Sequence, residues 1–202
     1  MIVAEIVPMD KRRSKVILED DFALVLYRGE IRKFGIEEGK PLSEETYQEI
    51  LQKVLLKRAR ERVLFLLKSS DKTEQELRRK LKDGGYPQEA ADYAIDFLKD
   101  HNFINDQDYG RRYVESNLVR KSQRQIQYEL QKKGLDKEMI REIFEEQPVD
   151  EEAQIRAYVK KKRLKLEEMD FKERNKVMSA LGRRGFSYDV ISRVLGGIYE
   201  EN

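Results

Sequence analysis

The chain has 202 residues, and 40% of them are charged, against roughly 25% in an ordinary globular protein. The 41 Lys plus Arg nearly cancel the 39 Asp plus Glu, leaving +2, so any attraction to a polyanion has to come from local clustering. With no cysteine and one histidine, His101, disulfides, thiolate zinc sites, cysteine nucleophiles, multi-imidazole metal centres and most Ser–His arrangements are excluded.

The first forty or so residues read as a small antiparallel β element. Ile2 to Val7 form one apolar run ending at Pro8, Val16 to Leu18 a second, and Phe22 with Leu24 to Tyr27 a third. Glu19-Asp20-Asp21 predicts the turn between the last two, and this role suits the adjacent carboxylates better than a metal. The N-terminus, MIVAEIVPMDKRR, has its basic residues after the apolar stretch, the reverse of a secretory signal. No apolar run approaches the ~20 residues of a membrane span. A soluble, cytoplasmic protein is expected, without metal or cofactor.

Pro41 and Ser43 open a long helical stretch. Tyr47, Ile50, Leu51, Val54, Leu55, Ala59, Val63, Leu64 and Leu67 recur at helical spacing. After the break at Ser69-Ser70, Thr73 and Glu76 fit a capping box. His101 falls at a helix end, where a cap or surface role is expected.

An internal repeat follows. Leu77, Leu81, Gly85, Tyr86, Ala91, Ala94 and Ile95 are matched in spacing by Ile126, Leu130, Gly134, Leu135, Ile140, Ile143 and Phe144. Val177, Leu181, Gly185, Phe186, Ile191, Val194 and Leu195 match again, at offsets of 49 residues (81 to 130) and 51 (130 to 181). Each copy reads as helix, glycine stop, buried apolar residue, helix. Pro87, Asp136 and Ser187 stand at the start of the second helix. A further helix precedes each pair, over roughly 47–67, 107–119 and 151–166. The expected fold is therefore mainly α, with three three-helix repeats in an elongated curved array. The divisions are 1–43 for the β extension, then 44–105, 106–149 and 150–202 for the repeats. Gly84-Gly85 and Gly196-Gly197 are read as helix stops, since no phosphate-loop pattern surrounds them.

Charge falls in blocks. Arg111, Arg112, Arg120, Lys121, Arg124, Lys132 and Lys133 are opposed within 111–133 by Glu115 and Glu129 only, giving +5. Residues 136–152 carry eight acids against Lys137 and Arg141, giving −6. Arg156, Lys160, Lys161, Lys162, Arg163 and Lys165 give +6 over 153–166. A solvated, partly paired helix surface would explain such blocks, but Lys160 to Arg163 span a full turn of the expected helix and cannot share one edge. They fit contacts with phosphate or an acidic protein face. Tyr109, Tyr113, Tyr128 and Tyr158 interleave with them, as half-buried packing or as stacking surfaces for bases.

Four stretches resemble the RecX family: Thr73 to Leu81 (TEQELRRKL), Phe103 to Tyr109 (FINDQDY), Ile126 to Gly134 (IQYELQKKG) and Leu181 to Gly185 (LGRRG). The resemblance covers about residues 55–198. Two departures are a Thr at 73 where serine is common and a Gly at 110 where alanine is common; both are read as conservative. The resemblance implies a non-enzymatic regulator of the RecA recombinase. Such a protein binds the RecA nucleoprotein filament, inhibits its ATPase and strand exchange, and promotes filament disassembly, so restraining recombination and the SOS response. The implied partners are that filament and, weakly and without sequence preference, single-stranded DNA. No membrane is involved, and the chain is read as a monomer. The expected contact set is Arg111, Arg112, Arg120, Lys121, Arg124, Lys132, Lys133, Arg156 and Lys160 to Arg163.

Three alternatives stay open on the residues alone. A helix-turn-helix-like DNA-binding protein would act without RecA, with basic second helices entering a groove. An adaptor would use the same charge blocks to join another complex or a second copy. A nuclease lacks a supporting nucleophile or histidine cluster.

Overall fold

The computed structural model describes residues 1–19 and 22–196. The expected turn at Asp20-Asp21 and the helix stop at Gly197 lie outside the described residues. Two compact units divide the chain, Met1–Asn105 and a second that begins at Asp106.

The first unit opens with a three-stranded antiparallel meander of β1 (Val3–Pro8), β2 (Arg13–Leu18) and β3 (Ala23–Tyr27). Asp10 shapes the first turn. Its carboxylate accepts the Arg12 and Arg13 N–H groups, each at 2.8 Å, and pairs with the Arg13 guanidinium. Alternation then sorts β2: Ser14, Val16 and Leu18 are buried while Arg13 and Lys15 face out. A short helix that the sequence did not announce, α1 (Arg28–Lys33), follows β3 directly.

Ser43 caps α2 (Glu44–Ile50), accepting the Thr46 N–H at 3.1 Å. One wide turn of π type, Leu51–Leu55, carries the helix into α3 (Leu56–Leu67). The capping box forms as expected. Thr73 accepts the Glu76 N–H at 3.2 Å, Glu76 accepts the Thr73 N–H at 3.1 Å, and α4 (Glu74–Asp83) begins there. The pair is completed by α5 (Gln88–Asp100). His101 closes α5, its Nδ1 lying 2.9 Å from the Phe97 carbonyl. Sheet and helices share one apolar core, in which Leu24, Leu26, Leu55, Leu77, Leu81, Ile95 and Leu98 are almost fully buried. The sheet is fastened to the α4–α5 turn by a close backbone approach. Val25 N–H donates to the Gly85 carbonyl at 3.4 Å.

The second unit holds α6 (Asp106–Asn117), α7 (Gln123–Lys132) and α8 (Lys137–Glu146), then α9 (Glu151–Lys161), α10 (Phe171–Gly182) and α11 (Tyr188–Leu195). The chain is thus a small N-terminal sheet followed by three tandem three-helix repeats. The same helix stop recurs in each repeat. Tyr86, Leu135 and Phe186 donate their N–H groups five residues back, to Leu81, Leu130 and Leu181. The intervening Gly85, Gly134 and Gly185 take φ of 72°, 98° and 90°. This is the backbone signature of a helix closed by a left-handed residue.

Neighbouring repeats in this unit do not merge their cores. One cluster gathers Val114, Ile126, Leu130, Ile140 and Ile143, and a separate one gathers Ile155, Leu181, Phe186, Ile191 and Leu195. Polar contacts join the two repeats. Ser122 N–H donates to Arg184 O at 3.0 Å and Gln123 N–H to Glu151 Oε1 at 2.9 Å. The Gln154 amide donates to Leu118 O at 2.6 Å.

One expectation is corrected. The basic run Lys160 to Arg163 does not form a full helical turn. Helix α9 ends at Lys161, Lys162 closes it, and Arg163 turns left-handed at φ 53°. Acids Glu151 and Glu152 open that helix and cations close it, so its macrodipole accounts for part of the charge alternation.

Candidate functional site

The C-terminal end of α6, the face of α7, the C-terminal end of α9 and the α10–α11 turn enclose a groove of about 810 Å³. One wall comes from the second repeat: Val119, Arg120 and Lys121, with Gln125 and Glu129 behind them. The other comes from the third repeat: Tyr158, Lys161, Lys162, Arg183 and Arg184. Six cations and one carboxylate therefore line a single cleft.

The local fold explains why they meet. Helix α9 ends at Lys161, which lines the groove with the closing Lys162, while the α10 stop places Arg183 and Arg184 immediately before Gly185. Gly185 sits so close to the second repeat that a Cβ there would lie 2.4 Å from Ser122 Oγ and 2.9 Å from Gln125 Cβ. That approach seats the Arg183-Arg184 turn against the start of α7.

Two of the cations are held in place. Lys121 Nζ is 2.6 Å from Glu129 Oε2, which also accepts the Tyr113 hydroxyl at 2.6 Å. Burial alone would raise the Glu129 carboxyl. Hydrogen bonds from Lys121, Tyr113 and Gln125 outweigh it and lower its pKa to about 2. Burial likewise pulls the Lys121 ammonium down, and the bonds to Glu129 and Tyr113 overcome this and raise it. The Arg184 guanidinium rests on the Tyr158 ring, 4.5 Å from its centroid. Arg120, Lys161, Lys162 and Arg183 are exposed and have no ion-pair partner among the described residues. Uncompensated cations thus stand on both walls, and their summed field in the cleft favours negative charge.

The expected contact residues separate into groups. Arg120, Lys121, Lys161 and Lys162 line the groove. Arg112, Arg124, Lys160 and Arg163 are exposed elsewhere on the same repeats. Arg111 is tied to Glu146 at 2.7 Å and Asp108 at 3.0 Å, and Arg156 to Glu152 at 2.7 Å. Lys132 lies over Tyr128 at 4.7 Å, and Lys133 over Tyr109 and Tyr113 at 5.4 and 5.7 Å. The acidic block thus neutralises part of the basic one. Sequence reasoning missed Arg183 and Arg184 as site residues. The signal was in the repeat itself, since the two residues before the glycine stop are Lys132-Lys133 in one copy and Arg183-Arg184 in the next.

The second helices are not the basic ones. Helix α5 has Glu89, Asp92, Asp96 and Asp100 against Lys99, and α8 has Glu138, Glu142, Glu145 and Glu146 against Lys137 and Arg141. Helix α11 balances Asp189 with Arg193. Acidic helices are repelled by the phosphates flanking a major groove, which counts against groove reading by these helices. Among the described residues no helix is long and apolar enough to cross a membrane, and no cluster of three or more His, Asp or Glu is placed to hold a metal.

Comparison with known proteins agrees with this architecture. Models of the first, second and third three-helix domains of RecX match residues 59–98, 105–143 and 150–195. The regulatory protein RecX of Clostridium botulinum (strain Alaska E43 / Type E3) is 32% identical over 195 residues, spanning 95% of this chain and 92% of that protein. The chain belongs to the RecX family. The regulatory protein RecX of Caldanaerobacter subterraneus subsp. tengcongensis is 30% identical over 199 residues, covering 96% of this chain and 98% of its own. Among solved structures, a crystal structure of regulatory protein RecX superposes with TM-score 0.58 at 23% identity, covering 96% of this chain and 98% of that one. RecX from Lactobacillus salivarius gives TM-score 0.58 at 22% identity over 70% of this chain and 94% of its own. At those identities the two structures speak for the fold alone.

Proposed function

We propose that this RecX-family protein binds the RecA filament assembled on single-stranded DNA, in the cytoplasm, and restrains it without chemistry of its own. Bound there, it lowers ATP hydrolysis and strand exchange and favours loss of the filament, which makes it a negative regulator of recombination and the SOS response. The observation that carries this reading is the two-walled basic groove of the second unit. Its unpaired Arg120, Lys161, Lys162 and Arg183 offer charge to an extended polyanionic partner rather than enclosing a small substrate. Arg112, Arg124, Lys160 and Arg163 widen the attractive field around it.

The test is a titration of the protein into RecA hydrolysing ATP on single-stranded DNA, with binding to the same DNA alone measured in parallel. Suppression well below the concentrations that saturate naked DNA supports a filament regulator. Suppression that tracks naked-DNA binding, or none at all, refutes it.

A further inference from the structure

We infer that an aromatic pocket at the end of α3, in the first unit, is a docking site for a protein segment that presents an apolar side chain beside a basic residue. The inference goes beyond the basic groove. It rests on the reading above for the source of the segment, a RecA subunit of the filament. Three observations carry it.

Helix α3 has more apolar surface than its core uses. It ends in five consecutive apolar residues, Val63 to Leu67, whereas a helix packed by one face needs only an apolar stripe. Val63 is fully buried, Leu64, Leu66 and Leu67 are half-buried, and Phe65 is 62% exposed. Leu64, Phe65 and Leu67 line a pocket of about 690 Å³ together with Phe103, within the roughly 300–1,000 Å³ of ligand pockets.

Phe103 is held out where its counterparts are tucked in. Its N–H donates to Leu98 O at 2.8 Å across Asn102, which is left-handed at φ 54°. The residue after such a stop ordinarily packs back on its own helix, as Leu135 and Phe186 do at 3% and 7% exposure. Phe103 is 53% exposed instead. Its ring lies nearly parallel to that of His101, with centroids 6.0 Å apart, and 6.2 Å from that of Phe97. An exposed ring already braced by its neighbours loses little freedom when a partner covers it.

Charge selects the occupant. The charged residues lining the pocket are Glu61, Lys68 and Asp71, two carboxylates against one ammonium. Glu61 stands 4.0 Å from Lys57, with both side chains largely exposed. Arg62 lies 5.9 Å from the Phe65 centroid but does not line the pocket. Apolar surface with an excess of carboxylate disfavours phosphate and suits an apolar anchor with a cation next to it. The preference is the reverse of the basic groove's.

The experiment uses the full chain, fluorescently labelled, and RecA filaments on single-stranded DNA, with the same DNA free of RecA in parallel. Phe65→Ser with Phe103→Ser is expected to weaken filament binding at least tenfold, as loss of a central anchor does, and to leave naked-DNA binding unchanged. Met9→Ser with Phe171→Ser, exposed and outside the pocket, is expected to change little. The rim charges give a test of sign. Glu61→Lys is expected to weaken filament binding and Lys68→Glu to strengthen it, each about two- to threefold at low salt and less at high salt. Should the aromatic pair unfold the chain, Phe65→Ser alone is read. Filament binding as tight in the aromatic variant as in the parent overturns the inference and leaves the filament reading standing. Equal loss in the Met9 and Phe171 control overturns the site. Equal loss on naked DNA, or rim effects of the opposite sign, assigns the pocket to an anionic ligand and overturns the segment's chemistry. A concentration-dependent dimer of the parent that the aromatic variant abolishes assigns the pocket to a second copy and overturns the partner. A parent that does not bind the filament at all overturns the filament reading and this inference with it.

Discussion

Replacing Gly185 by alanine tests the junction that forms the groove. Gly185 has φ +90°, and an added Cβ would lie 2.4 Å from Ser122 Oγ and 2.9 Å from Gln125 Cβ. The left-handed backbone costs an alanine roughly 1–2 kcal/mol. Ser122 is also the cap of α7, accepting the Gln125 N–H at 3.2 Å, and displacing a cap costs about 1 kcal/mol more. A loss of about 2–3 kcal/mol in the second unit follows. Gly182 is the matched control. It lies three residues earlier, ends α10 in the helical region, and has nothing within 4 Å of where its Cβ would be. Gly182→Ala is expected to be neutral or stabilising by up to about 1 kcal/mol. Urea denaturation followed by circular dichroism reads both. The two units need not unfold together, so the second is followed through amide exchange in α7 and α10. A Gly185→Ala protein as stable as Gly182→Ala would refute the close approach of the two repeats.

Gly110→Ala is expected to destabilise by about 1–2 kcal/mol net, overpacking outweighing the ~1 kcal/mol that alanine gains over glycine inside a helix, because a Cβ would fall 2.4 Å from the terminal Cδ1 of Ile143 and 2.8 Å from Cδ2 of Leu135. Thermal unfolding checks it, and an unchanged midpoint would contradict the packing. Leu130→Ala, at a position that is fully buried, is expected to cost about 2–5 kcal/mol and to be seen in the second repeat's amide exchange before the third's. Glu129 has a folded pKa of about 2 against an ordinary 4.5. Its stabilisation is therefore complete above about pH 4.5 and lost as pH falls toward 2. Glu129→Gln is expected to be less stable than the parent at neutral pH, with the gap closing over that acid range. A gap that persists at pH 2 would assign the effect to packing instead.

The repeat was legible because its signal is local. Gly85, Gly134 and Gly185 each follow a Leu by four residues, and a helix closed on a left-handed residue needs only that stretch of chain. The caps at Thr73, Asp136 and Ser187 were readable for the same reason. The strands showed as apolar runs, whereas α1 carries mixed charge with no apolar face long enough to announce it. The groove was half legible. Arg120, Lys121, Lys161 and Lys162 stood out by clustering, but nothing local showed that Arg183 and Arg184 would cross to meet them. Nor did spacing show that Arg111 would reach Glu146, 35 residues on. At Gly110 residue type alone did not show that an added Cβ would meet the terminal methyls of Ile143 and Leu135.

The most direct measurement compares the parent protein and the Lys161→Glu, Lys162→Glu variant as suppressors of RecA-catalysed ATP hydrolysis on single-stranded DNA, with folding of both confirmed. The parent is expected to suppress hydrolysis, and the folded variant to need at least several-fold more protein for the same effect. Equal suppression by the two would contradict the assignment of the groove as the surface through which this protein acts.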